Sequence, residues 1–138
     1  MKTFDLKYKV TIENDAVFEV IEAIQLELEP YELPFELSLK LHLALEELLL
    51  NLVHHTTLTE EDTATVTLEK SNDLLTMTII DSSAEFNPLT VTEPDLSLDL
   101  EDRPIGGLGI HLIKQNTESV SYQRSNDQNI LRLVWKHE

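Results

Sequence analysis

The sequence predicts an α+β sandwich: a mixed, mostly antiparallel sheet with helices on one face, built as a single domain over residues 1–138. Three observations carry that prediction. Apolar and polar residues alternate in five short stretches, which is the period of a half-buried strand. Two long segments between the first and second stretches repeat their apolar residues at helical spacing. The order β-α-α-β-β-lid-α-β-β suits antiparallel pairing with helices gathered on one side.

Taken in order, Thr3 to Ile12 reads as a strand, with Phe4, Leu6, Tyr8, Val10 and Ile12 on one face. Asn14 is the expected N-cap of a helix running to about Glu29, where Pro30 stops it. Val17, Val20, Ile21, Ile24 and Leu28 form its apolar stripe. Pro34 sits where a second helix begins, and that helix continues to about His55. Ala64–Lys70 and Leu75–Asp81 alternate as strands around a Ser71-Asn72-Asp73 turn. Residues 82–105 then lack periodicity and carry several acids and prolines, as functional lids do. A helix is expected from near Gly107 or Gly109 to Gln115. Strands Glu118–Gln123 and Ile130–Trp135, with a turn at Ser125-Asn126-Asp127, close the chain.

Composition narrows the function classes. At 138 residues with 41% apolar side chains, the chain can bury one sizeable core. Without cysteine it has no disulfide framework and no thiolate metal site. No apolar run approaches the ~20 residues of a membrane span, and MKTFDLKYKV lacks a secretory h-region, so a cytoplasmic location is expected. Ten Lys and Arg against 26 Asp and Glu leave a net charge of −16. The basic residues are scattered singly, which argues against direct nucleic-acid binding, since that begins with clustered cations on phosphates. An acidic surface suits a basic protein partner, or simply solubility.

The second helix carries a polar stripe between apolar arcs. With Glu47 set at zero and about 100° per residue, Leu41, Leu45, Leu48 and Leu52 fall in one arc. Leu43, Leu49, Leu50 and Val53 fall in another, so the helix is expected to be largely buried. Glu47, Asn51 and His55 stack at i, i+4, i+8 in the gap between them, with His54 beside them. A carboxylate and an amide so placed need polar company. A cleft holding phosphates and Mg²⁺ supplies it: an amide oxygen suits Mg²⁺, and a carboxylate can activate a hydroxyl. A solvated stripe is the alternative. The two histidines lack a third ligand nearby and do not read as a zinc site.

Asp81 ends a strand, where it can accept a hydrogen bond from an exocyclic amino group or simply form a turn. The chain's three glycines, Gly106, Gly107 and Gly109, fall within four residues at a helix start. Glycine admits close approach of backbone N–H groups, and a helix N-terminus favours anions, so this is a phosphate-binding candidate.

Leu43–His55, Asp81–Pro88 and Gly106–Ile113 together resemble the N box and the two glycine boxes of the GHKL ATPases. The resemblance is closest to the stand-alone anti-sigma factor serine/threonine kinases, whose closing hairpin Tyr122 to Leu133 also resembles. It implies a Bergerat-type two-layer sandwich, ATP with Mg²⁺, and phosphoryl transfer to a serine of an anti-anti-sigma partner. A sigma factor and a homodimer also belong to that picture. Carried over, Glu47 is the base and Asn51 holds Mg²⁺. Asp81 reads the adenine amino group, and Gly106, Gly107 and Gly109 line the phosphates. Ile79 and Ile110 are pocket walls. Apart from the resemblance, Arg103 is the one lid cation that could contact phosphate, or it pairs with Asp102 or Glu101. The sequence departs from the family at Ser83 and Glu85, which stand where the first glycine box has glycine. If those positions need left-handed backbone, each carries a penalty of about 1–2 kcal/mol. The alternative reading is therefore a partner-binding module of the same fold without effective use of ATP.

Overall fold

A computed structural model of the chain describes residues 3–55, 63–90 and 108–136. Strand β1 (Phe4–Thr11) leads into helices α1 (Asn14–Leu28) and α2 (Phe35–His55), then strands β2 (Thr63–Lys70) and β3 (Leu74–Asp81). After a short 3-10 turn at Pro88–Thr90 come helix α3 (Leu108–Asn116) and strands β4 (Ser119–Ser125) and β5 (Gln128–Lys136). The five strands form one sheet in the order β1-β2-β3-β5-β4. All four pairings are antiparallel, so among the described residues the sheet is antiparallel throughout and not mixed.

Strand register decides which side chains share a face. Val66 pairs with Ile79 and Leu68 with Met77. Ile79 in turn pairs with Leu131, Met77 with Leu133 and Leu75 with Trp135. All of these are buried, and they join Ile24, Leu41, Leu45, Leu48, Leu49 and Ile113 in one core. The alternate residues, such as Thr65, Thr67, Ile80 and Arg132, are only partly covered. The helices therefore lie on one side of the sheet, as the alternation predicts.

Local differences from the sequence expectation have identifiable causes. Asn14 is the first helical residue of α1, and the N-cap is Glu13 in extended backbone with no side-chain cap bond. Pro30 does not end the helical path abruptly. It sits inside a 3-10 turn at Glu29–Tyr31, a position where its missing N–H is not needed, and the chain turns out at left-handed Glu32. The β4–β5 turn is tighter than expected, because Asn126 and Asp127 both have positive φ. Such a two-residue turn matches strand twist and lets pairing continue to Ser125↔Gln128. Finally, α2 is less buried than its two apolar arcs imply. Leu49 is enclosed, but Leu43, Leu50 and Val53 are only half-buried, since one sheet covers one side.

Candidate functional site

The site is assembled where the C-terminal half of α2 crosses the ends of β3 and β5. Asp81 and Asn129 are direct cross-strand partners, both pointing inward and both buried. Burying a carboxylate and an amide is costly unless each is satisfied, and here they satisfy each other. Asn129 Nδ2 donates to Asp81 Oδ1 at 3.1 Å and to the Ala84 carbonyl at 3.0 Å. Asp81 Oδ1 also accepts from the Ser83 backbone N–H at 3.0 Å and from the Ser83 hydroxyl. Asn129 Oδ1 accepts from the Tyr122 hydroxyl at 2.5 Å, from the Phe86 N–H at 3.2 Å and from Arg124 Nη1 at 3.2 Å. Arg124 Nη1 further donates to the Ser83 carbonyl at 2.8 Å. One side-chain amide thus fastens the segment after Asp81 to the closing hairpin. Burial, followed by the negative charge of Glu85, raises the Tyr122 phenol above its ordinary value, which keeps it a hydrogen-bond donor.

Beside this network lies a cavity of about 20 Å³, lined by Asn51, Leu52, Ile79, Asp81, Phe86 and Tyr122 among others. Its volume suits roughly one water molecule. Leu89 and Thr90, which follow, are held by their own turn around Asn87 and by Lys114 Nζ on the Leu89 carbonyl at 2.8 Å.

Glu47, one helical turn before Asn51, points elsewhere. Its carboxylate rests on Gly109 in the first turn of α3. A Cβ built on Gly109 would stand 2.5 and 2.6 Å from the two carboxylate oxygens, inside any real contact distance. Glycine is therefore required at 109 for close approach and not for backbone rotation.

The structure brings together Asn51, Asp81 and Ile79 around one cavity and sets Glu47 against Gly109. Ile110 is buried in the general core and does not line the cavity. Arg103, Gly106 and Gly107, and the side chain of His55, lie outside the described residues, while His54 is exposed. The expected strain at Ser83 and Glu85 is absent. Among the described residues, the positive-φ residues other than glycine are Glu32, Asn126 and Asp127, so Ser83 and Glu85 follow a path that does not need glycine. Ser83 instead turns its hydroxyl onto Asp81.

Sequence reasoning gave no role to Asn129, Tyr122, Arg124 or Ser83. One signal was available: Asn129 is a polar residue at an inward position of a strand whose next inward residues are Leu131, Leu133 and Trp135. Among the described residues no cluster of three His, Asp or Glu side chains could cage a metal. Asn51 alone could offer Mg²⁺ one oxygen, the remaining ligands being water and phosphate, as that ion prefers.

A two-layer sandwich with an acid–amide helix facing a strand-end aspartate and a glycine-led helix defines an ATPase-type domain. A profile of the histidine kinase-like ATPase domain matches residues 10–135, and the chain belongs to that family. It is 30% identical, over 71% of its own length and 70% of the relative's, to the serine/threonine-protein kinase BtrW of Bordetella bronchiseptica. Its fold is similar to the structure of the RsbU and RsbW domains of Rv1364c from Mycobacterium tuberculosis, with a TM-score of 0.65 and 12% identity. That superposition covers 97% of this chain and 32% of the other, so the chain spans about a third of that protein. Within the family, the relative it matches is a serine/threonine-protein kinase.

Proposed function

We propose that this protein is an ATP-dependent serine/threonine kinase of the anti-sigma type that phosphorylates an anti-anti-sigma partner. The observation that carries the reading is the seating of Glu47 on Gly109, with Asn51 and Asp81 bordering an adjacent cavity off the same helix. A carboxylate pressed against a glycine-led helix N-terminus is positioned beside a natural phosphate site. Bound there, ATP with Mg²⁺ would supply the phosphoryl group and neutralise the charge that develops on it. Glu47 would take the proton of the partner's seryl hydroxyl as its oxygen attacks phosphorus. Asn51 would give the metal one oxygen. Asp81 has Oδ1 engaged by Ser83 and Asn129, which leaves Oδ2 to accept an amino group of the base. Arg103, Gly106 and Gly107 would complete the phosphate side. In this reading the protein is cytoplasmic and acts on transcription through a sigma factor, as a homodimer.

The test is calorimetric titration with ATP and Mg²⁺, followed by phosphate transfer to a serine-bearing anti-anti-sigma protein. Binding by both wild type and Glu47→Gln, with transfer by wild type only, supports the proposal. No binding at millimolar ATP defeats it.

A second reading rests on the 20 Å³ cavity. A cleft closed by Phe86 and tied down through Asn129 suits a partner-binding module that keeps the fold without using ATP. It predicts no nucleotide-dependent rise in Tm in the natural sequence, and binding only after the cleft is opened by Phe86→Ala.

A further inference from the structure

The side of α2 turned away from the site holds a second feature. Between α1 and α2 runs a groove of about 280 Å³, floored by Ile24, Leu28, Leu33, Leu41 and Leu45. Glu29 and Glu32 close one end, and Gln25 bridges to His42 at 2.6 Å across it. Leu45 lines this groove and Glu47 faces Gly109. Two residues apart, they project about 200° from one another around the helix, so the groove and the nucleotide site are different faces of one element.

Both banks of the groove are unusual in what they leave uncovered. On α2, Phe35, Leu39, His42 and Glu46 follow i, i+4, i+7, i+11 spacing; Phe35 is 82% and Leu39 56% exposed. On α1, Phe18 and Leu26 are 51% and 60% exposed. None of the four lines the groove itself, but they leave four large apolar side chains in water on the same helix pair, which a partner seated in the groove could cover. The carboxylates lining it are Glu29 and Glu32, with His42 on the facing helix, and Lys40 further along that helix pairs with Glu36. From Glu13 to Glu36 the sequence holds eight Asp and Glu and no Lys or Arg.

We propose that the α1–α2 groove is a docking site for a basic, amphipathic helical segment of a protein partner. Its apolar face would lie on the leucines of the floor and against Phe35 and Leu39. Its Lys and Arg side chains would meet Glu29, Glu32 and the neighbouring acids. Two helix walls flanking an apolar trough accept such a helix through anchors at i, i+3 or i+4, and i+7. The carboxylates at the rim favour a basic helix over an acidic or neutral one and speed its encounter. A second copy of this chain fits this groove poorly, because its Lys and Arg are scattered singly and form no basic helix face.

The experiment uses a displayed library of helical 16-residue peptides, selected on the full-length protein. Two double variants report the groove: Phe35→Ala with Leu39→Ala, and Glu29→Gln with Glu32→Gln. All four side chains are at or near the surface, and a thermal melt checks each fold. Selected peptides should carry Lys or Arg on one face and leucine-type anchors on the other. Each double variant should weaken them by about ten-fold or more, while the ATP response of the nucleotide site stays as in wild type. A failure of ATP binding alone leaves this result standing, so the two readings fail separately. Binders without basic preference, binders indifferent to both double variants, or no groove-dependent binder overturn the proposal. A wild-type dimer in sedimentation that Phe35→Ala with Leu39→Ala abolishes also overturns it, by assigning the groove to a second copy.

Discussion

At the scale of single residues, two positions concentrate the physics of the site. Gly109 has no room for a methyl group, but what it would strike is the mobile end of Glu47 and not backbone. Gly109→Ala should therefore leave the fold intact, and alanine favours the helix it starts. With Glu47 in its proposed role as base, its displacement by even an ångström should lower phosphoryl transfer by about 100-fold. Unchanged thermal unfolding together with lost transfer is the expected signature. Asn129 is the opposite case. Its replacement by alanine removes the Tyr122 hydroxyl's acceptor and a donor to Asp81, so it should destabilise by about 2–3 kcal/mol. Urea unfolding with an unchanged m-value would measure it. Neither contact is local in sequence: Asp81 and Asn129 are 48 residues apart, and they meet only once β3 and β5 adopt their register. The polarity of Asn129 at an inward position was legible. Its choice of Asp81, Tyr122 and Arg124 as partners was not, because each depends on which strand lies alongside.

At the scale of elements, alternation and helical spacing located every strand and helix to within a few residues, because a one-sided sheet writes its pattern directly into the chain. What the pattern could not supply was turn geometry. Asn126 and Asp127 both take left-handed backbone, which Asn and Asp tolerate and branched residues do not. Asp127→Val should cost about 1–2 kcal/mol, seen as a lowered urea midpoint. The same change should loosen β4 and with it the Tyr122 and Arg124 contacts to Asn129. Helix α2 shows a further limit of periodicity. Its two apolar arcs predict burial, yet they cannot say which arc meets the sheet and which is left half-covered beside another helix.

For the whole molecule, charge and ionisation set how stability responds to solution conditions. A net charge of −16 on 138 residues opposes compaction, so added salt should raise Tm by screening self-repulsion. At alkaline pH the response has a definite sign. Tyr8, chiefly through burial and then through Glu27, and Tyr122, through burial and then Glu85, both have folded pKa values above 10.0. The folded state therefore holds these protons more tightly than the unfolded state does. Their contribution is fully present below pH 10 and declines as pH rises through the folded values. Denaturant midpoints should accordingly be flat approaching pH 10 and fall above it, and Tyr8→Phe should make that fall shallower.

The tether from Asn129 to the 82–90 segment has a kinetic corollary. Suppose nucleotide loads through molecules whose 82–90 segment has swung aside. The observed dissociation constant is then the intrinsic one divided by the open fraction. In a stopped-flow mixing experiment, the association rate should climb with ATP and then level off at the speed of that opening. Cutting the tether with Asn129→Ala should lift the plateau, so one substitution would make the protein less stable and quicker to load.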